Sequence, residues 1–95
     1  MKLRLGRPAQ RDLDRLLSES FQKYGPDRAE RTRAAWEQAF RFISDVPSAG
    51  SAFEDVRPGL RRHVVRPYAA YYVVEDDLIV VRRILHVRQD PNAYL

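Results

Sequence analysis

The chain has 95 residues and a mass of 11.1 kDa, room for a single domain with one modest core. Its hydrophobic content of 44%, with ten aromatic rings, argues against an intrinsically disordered chain; no run approaches a membrane-spanning length, and the lack of cysteine excludes disulfides, thiolate zinc sites and a cysteine nucleophile. The net charge is +4, and arginine supplies fifteen of the seventeen basic residues, which points either to an anionic partner (nucleic acid, ribosome or an acidic protein segment) or to GC-rich codon usage that favours arginine everywhere.

Lys2 to Gly6 reads as the first strand, with Leu3 and Leu5 on one face. This opening alternates charge and apolarity without the apolar block of a secretory signal, which predicts a cytoplasmic location. Pro8 suits the first turn of a helix, and Ala9, Leu13, Leu16, Leu17, Phe21 and Tyr24 then recur at spacings of three and four. Arg11, Asp12, Asp14, Arg15 and Glu19 lie between them as the solvent face. Gly25-Pro26-Asp27 stops this helix and starts a second, whose stripe is Ala29, Thr32, Trp36, Ala39, Phe40, Ile43 and Val46. So short a break predicts an antiparallel hairpin.

Pro47-Ser48-Ala49-Gly50-Ser51 is a breaker cluster, and the loop is expected to run to Gly59. Leu60 to Val65, Tyr68 to Val74 and Leu78 to His86 read as strands, separated by turns at Arg66-Pro67 and Glu75-Asp76-Asp77. Connections this short predict an antiparallel meander. Val87 to Leu95, with Pro91 and Asn92, is expected to be irregular or one helical turn. The order β-α-α-β-β-β over residues 1–95 predicts one α+β domain, an antiparallel helical hairpin packed on a small antiparallel sheet.

Arg57, Arg61, Arg62 and Arg66 fall within ten residues that contain no acid, and Arg82, Arg83 and Arg88 add charge at the last strand. By strand period Arg62 and Arg66 share a face with Leu60 and Val64, and Arg61 shares the other with His63 and Val65. These arginines either present a surface to RNA or an acidic protein, or serve as solvated positions that discourage edge pairing. His63 and His86 lack metal-ligand spacing, and no metal or cofactor is expected. Tyr68, Tyr71, Tyr72 and Tyr94 suit base stacking or strand packing.

Several segments in order carry a family likeness: Pro8-Ala9-Gln10-Arg11-Asp12-Leu13, Pro47-Ser48-Ala49-Gly50, Arg57-Pro58-Gly59-Leu60-Arg61, Tyr68-Ala69-Ala70-Tyr71-Tyr72 and Arg83-Ile84-Leu85-His86-Val87-Arg88-Gln89-Asp90. The series resembles the RelE/ParE superfamily of type II toxin–antitoxin toxins, its ParE branch in particular, over about residues 2 to 90. The resemblance implies a bacterial growth inhibitor held silent by a cognate antitoxin in a hetero-oligomer. RelE-like members cut mRNA on the ribosome with lysines, arginines and a C-terminal tyrosine, whereas ParE-like members poison DNA gyrase.

Residue by residue, the RelE pattern transfers incompletely. Arg62, Arg88, Tyr94 and His86 are the candidates if the chain is a nuclease. Leu60 occupies a position where a lysine is expected, and Ala69 one where an arginine is expected. Arginine stays protonated and is a poor base. The favoured expectation is therefore a non-catalytic, gyrase-directed toxin, with ribosome-bound mRNA or a degenerate toxin that only binds antitoxin as the alternatives. Under it Arg57, Arg61, Arg62, Arg66, Arg83 and Arg88 would contact the target. Ile84, Leu85, Val87, Arg88 and Tyr94 would line an apolar groove for the antitoxin.

Overall fold

A computed structural model describes residues 1–95. The elements run β1 (Lys2–Leu5), α1 (Arg7–Tyr24), α2 (Pro26–Asp45), β2 (Ser51–Ala52), β3 (Arg61–Val65), β4 (Tyr68–Glu75) and β5 (Leu78–His86), with 3-10 turns at Pro47–Ala49 and Pro91–Ala93. Gly25 separates the helices at φ 88°, a value that favours glycine, and its N–H closes α1 on the Phe21 carbonyl at 2.8 Å. Pro26 then occupies the first turn of α2, where a missing N–H leaves nothing unpaired.

The sheet order is β1-β5-β4-β3-β2. The meander β3-β4-β5 is antiparallel as expected, but β1 lies parallel to β5, Lys2 opposite Leu78 through Leu5 opposite Val81, so the sheet as a whole is mixed. The two intervening helices supply the long crossover that a parallel placement requires. The breaker segment also ends in a two-residue strand, β2, which pairs Ser51 and Ala52 with Arg62 and Arg61.

Both faces of the sheet are covered. On one, Ala9, Leu16, Trp36, Ala39 and Ile43 of the helices pack against Ala70, Tyr72, Ile79, Val81 and Ile84. On the other, Leu60, Ala69, Tyr71, Val73, Val80 and Leu85 form a smaller core roofed by Phe53, Val56, Val87 and Leu95. That second roof explains why β4 and β5 read as nearly continuous apolar runs instead of alternating ones. Register slips at Tyr71 and Tyr72, which face Arg83 and Val81, so Arg82 is the extra residue of a bulge. The bulge re-phases β5: Val81 and Ile84, three apart, both reach the helix side.

Candidate functional site

Strand β1 ends at Leu5, and Gly6 makes the last ladder bond from this side, its N–H reaching the Val81 carbonyl at 2.9 Å. Beyond that point the edge of β5 would be bare. Asp12, on the second turn of α1, takes over: its Oδ2 accepts the Ile84 backbone N–H at 2.9 Å and Arg83 Nε at 2.8 Å, and its Oδ1 accepts Arg83 Nη2 at 3.0 Å. This bidentate pair is among the stronger hydrogen-bonding arrangements available to side chains. The hydrogen bonds that Arg83 donates to Asp12 are the main cause that raises its pKa above the ordinary value. The guanidinium also lies 5.2 Å from the centre of the Tyr94 ring, joining helix, strand and tail.

The tail folds back on the end of β5. The Gln89 side-chain carbonyl accepts the His86 N–H at 2.7 Å, the Val87 N–H reaches the Pro67 carbonyl at 2.9 Å, and Asp90 Oδ1 accepts the Asn92 N–H at 3.0 Å to start the last 3-10 turn. His86 Nδ1 accepts the Arg88 N–H at 3.1 Å, so a neutral ring carries its proton on Nε2. Tyr68 meets the His86 ring edge-on at 5.6 Å. Burial, followed by the charge of Glu19, raises the Tyr68 phenol above its ordinary value.

Around this floor lie two adjoining clefts. One, of about 510 Å³, opens between the far ends of the helices and the β3–β4 turn, with Lys23, Arg28, Arg31 and Arg66 at its walls. The other, of about 300 Å³, lies between α1 and the tail and includes Arg15, Arg83, Gln89 and Tyr94. His86, Tyr68, Leu16 and Glu19 border both.

The residues singled out in the sequence separate into distinct groups. Arg61 is structural: its Nη1 donates to the carbonyls of Ser48 at 3.1 Å and Gly50 at 2.7 Å. Tyr72 completes that clasp by donating to the Pro47 carbonyl at 2.7 Å and accepting the Gly50 N–H at 3.1 Å. Burial is the chief cause that raises the Tyr72 phenol. A Cβ on Gly50 would sit 2.5 Å from the Tyr72 hydroxyl, which accounts for the glycine that closes the Pro-Ser-Ala-Gly segment. Arg83, expected on a target-binding surface, is instead committed to Asp12, because an acid this buried needs a partner. Arg57, Arg66 and Arg88 are exposed, and Arg62 lies 5.1 Å over the Phe53 ring.

The expected antitoxin set divides by burial. Ile84 and Leu85 are 4% and 1% exposed, alternate across a strand whose two faces are both roofed, and reach the wall of the smaller cleft beside Tyr94. Val87 is half-buried in the second roof, which leaves Arg88 and Tyr94 as the exposed members of that set. The structure does not bring the four nuclease candidates together. His86 faces the helices beside Tyr68, whereas Arg62 is on the opposite face with Phe53.

Asp12 is not the solvent-facing helix charge that its neighbours in sequence suggest. The signal is present, since Ala9, Asp12 and Leu16 follow one buried stripe, and an acid on such a stripe implies a cation from elsewhere in the chain. Lys23, Arg28 and Arg31 are likewise not legible as a group from the sequence. They converge only when the hairpin closes over the β3–β4 turn.

Residues 3–91 match the family described as ParE toxin of type II toxin-antitoxin system, parDE. Among relatives, Toxin ParE3 of Caulobacter vibrioides is 33% identical over 89 residues, spanning 94% of this chain and 89% of that protein. Toxin ParE1 of Mycobacterium tuberculosis is 29% identical over 88 residues, 92% of this chain and 90% of the relative. A solved chromosomal ParDE toxin–antitoxin system from P. aeruginosa superposes with a TM-score of 0.79 at 24% identity, covering 93% of this chain and 97% of that one, a likeness in fold. No helix is long and apolar enough to cross a membrane.

Proposed function

Because the chain belongs to the ParE toxin family of type II toxin–antitoxin modules, we propose that it arrests bacterial growth by acting on DNA gyrase in the cytoplasm and is silenced by a cognate antitoxin. The observation that carries the choice of target is the character of the sheet face opposite the helices. Leu60 and Ala69, at the positions where the nuclease branch has cations, are both 0% exposed and belong to an apolar core closed by Phe53, Val56, Val87 and Leu95. A metal-free ribonuclease needs a base for the 2′-hydroxyl, a cationic clamp on the phosphate and an acid for the leaving oxygen. Here the clamp positions are filled with hydrocarbon, and Arg62 and His86 are separated by the sheet. Inhibition by binding, without chemistry of its own, fits these residues better than mRNA cleavage.

The antitoxin has two kinds of surface to use. The outer edge of β3 beyond the short β2 pairing leaves His63 to Val65 without a strand partner on that side, with Val64 exposed. At the other end, Arg88 and Tyr94 offer charge and an aromatic face on a tail fixed by Arg83. A strand added to the edge or an acidic segment laid on the tail would gain backbone or charge-assisted bonds.

The test is induced expression in a bacterial host, alone and with the neighbouring antitoxin gene. The expected result is growth arrest with filamentation and a DNA-damage response, relieved by the antitoxin. Unimpaired growth with soluble toxin present would identify a degenerate toxin, and codon-positioned mRNA cuts would move the chain to the nuclease branch.

A further inference from the structure

The larger cleft has a charge pattern that the fold does not use. Lys23 from α1, Arg28 and Arg31 from α2, and Arg66 from the β3–β4 turn line it, with Glu19 the one acid on its wall. The protein's three ion pairs, Arg33–Glu30, Arg82–Glu75 and Arg83–Asp12, all lie elsewhere, so none of the four cations is neutralised by a carboxylate. Cations gathered from three elements around one concavity repel each other, and an anion in the cleft would relieve that repulsion.

The remaining lining says which anion. Ser20 and Thr32 hydroxyls lie 3.4 Å apart at the helix–helix seam, and the His86 ring packs on the phenol ring of Tyr68 at the base. Tyr24, 60% exposed, presents a ring steadied by Arg28, whose guanidinium carbon is 4.6 Å from its centre. The large aliphatic and indole groups are already spent: Leu16 and Trp36 are 6% and 2% exposed within the helix-side core. A ligand that combines phosphate with a flat aromatic base would find forked cations and π-faces together. The volume of about 510 Å³ suits one nucleotide, within the range of roughly 300–1,000 Å³ usual for small-ligand sites.

We infer that this cleft is a phosphate-binding site for a nucleotide unit, with Arg28, Arg31 and Arg66 as the phosphate contacts and Tyr24 and Tyr68 as the base-facing rings. The site goes beyond the choice of cellular target and does not depend on it. The unit belongs either to a nucleic-acid strand or to a free nucleotide, which share this chemistry.

Trp36, the single tryptophan, lines the cleft and reports occupancy by fluorescence. The full chain is titrated with a twelve-residue thymidine oligonucleotide, with ATP and with inorganic phosphate, and an oligoglutamate peptide is tested as a competitor. The variants are Arg28→Glu/Arg31→Glu/Arg66→Glu and a charge-matched control, Arg7→Glu/Arg11→Glu/Arg41→Glu, each checked for folding by circular dichroism. Saturable binding should weaken at least about tenfold in the cleft variant and much less in the control, and its log–log salt slope should shrink by about one for each arginine–phosphate pairing removed. Tighter binding of the oligonucleotide than of ATP assigns the unit to a strand; equal or tighter ATP binding assigns it to a free nucleotide. No saturable binding of either, equal weakening in the control variant, or equally tight competition by oligoglutamate overturns the inference. Growth arrest measured on the same variants reads the toxin activity separately.

Discussion

Removing the Asp12 carboxylate tests the joint between α1, β5 and the tail. In Asp12→Ala the Ile84 N–H, buried at the edge of β5, is left without an acceptor, at a cost of about 1–3 kcal/mol for an unsatisfied buried donor. Arg83 is also deprived of its counter-charge. Breaking a fully buried pair is worth about 3–5 kcal/mol, but the Arg83 side chain is 22% exposed and can turn toward water, so that part must be discounted. A total of about 2–4 kcal/mol follows. Asp12→Asn keeps an acceptor for Ile84 and should destabilise roughly half as much. Arg83→Ala strands a carboxylate that is 6% exposed, and the double variant Asp12→Ala/Arg83→Ala should be more stable than the sum of the two single effects predicts, by about 1–2 kcal/mol. Urea unfolding followed through Trp36, which is buried in the folded state, gives each value. A destabilisation below about 0.5 kcal/mol for Asp12→Ala, or strict additivity in the cycle, would refute the reasoning.

Gly50→Ala should destabilise by about 1–3 kcal/mol in the same unfolding assay; the backbone there has φ −67°, which any residue adopts, so the effect is steric, from the Tyr72 hydroxyl and the Arg62 carbonyl. Burial lowers the His63 pKa, so the fold prefers the neutral ring, and the stability this provides above about pH 6.5 is lost as pH falls toward the folded value. His63→Phe, which retains a ring against Phe42, should flatten the stability profile between about pH 7 and 5, and an unchanged slope would contradict the assignment. Arg88→Ala should weaken antitoxin association modestly and reduce its salt dependence, while Tyr94→Ala should weaken it more with little change in salt dependence; calorimetric titration at two salt concentrations separates these effects.

The periodicities of three and four make both helices legible, and Gly25-Pro26 marks their junction. The meander follows from turns too short for any crossover. What the sequence does not supply are the long-range choices. Nothing local to Leu3 and Leu5 says that they join β5 in parallel, because that depends on how two helices carry the chain across the sheet. The bulge at Arg82 is equally silent in the sequence, yet it decides which of Arg83, Ile84 and Leu85 faces which core. The depth of burial of Ile84 and Leu85 is not legible either, because it depends on two roofs over the sheet instead of one. Arg61 and Arg83 look like surface charge because their partners, a loop carbonyl pair and an acid seventy-one residues away, are neighbours only in the folded chain.

Action on gyrase and action on mRNA leave different products. The direct measurement incubates the purified chain with gyrase, ATP and relaxed plasmid, then adds detergent and protease and scores linear DNA, with a purified translation system run in parallel. A gyrase-directed toxin gives toxin-dependent linear DNA, suppressed by the antitoxin, and leaves mRNA intact. Codon-positioned mRNA cleavage on ribosomes with gyrase left unaffected would contradict a gyrase target.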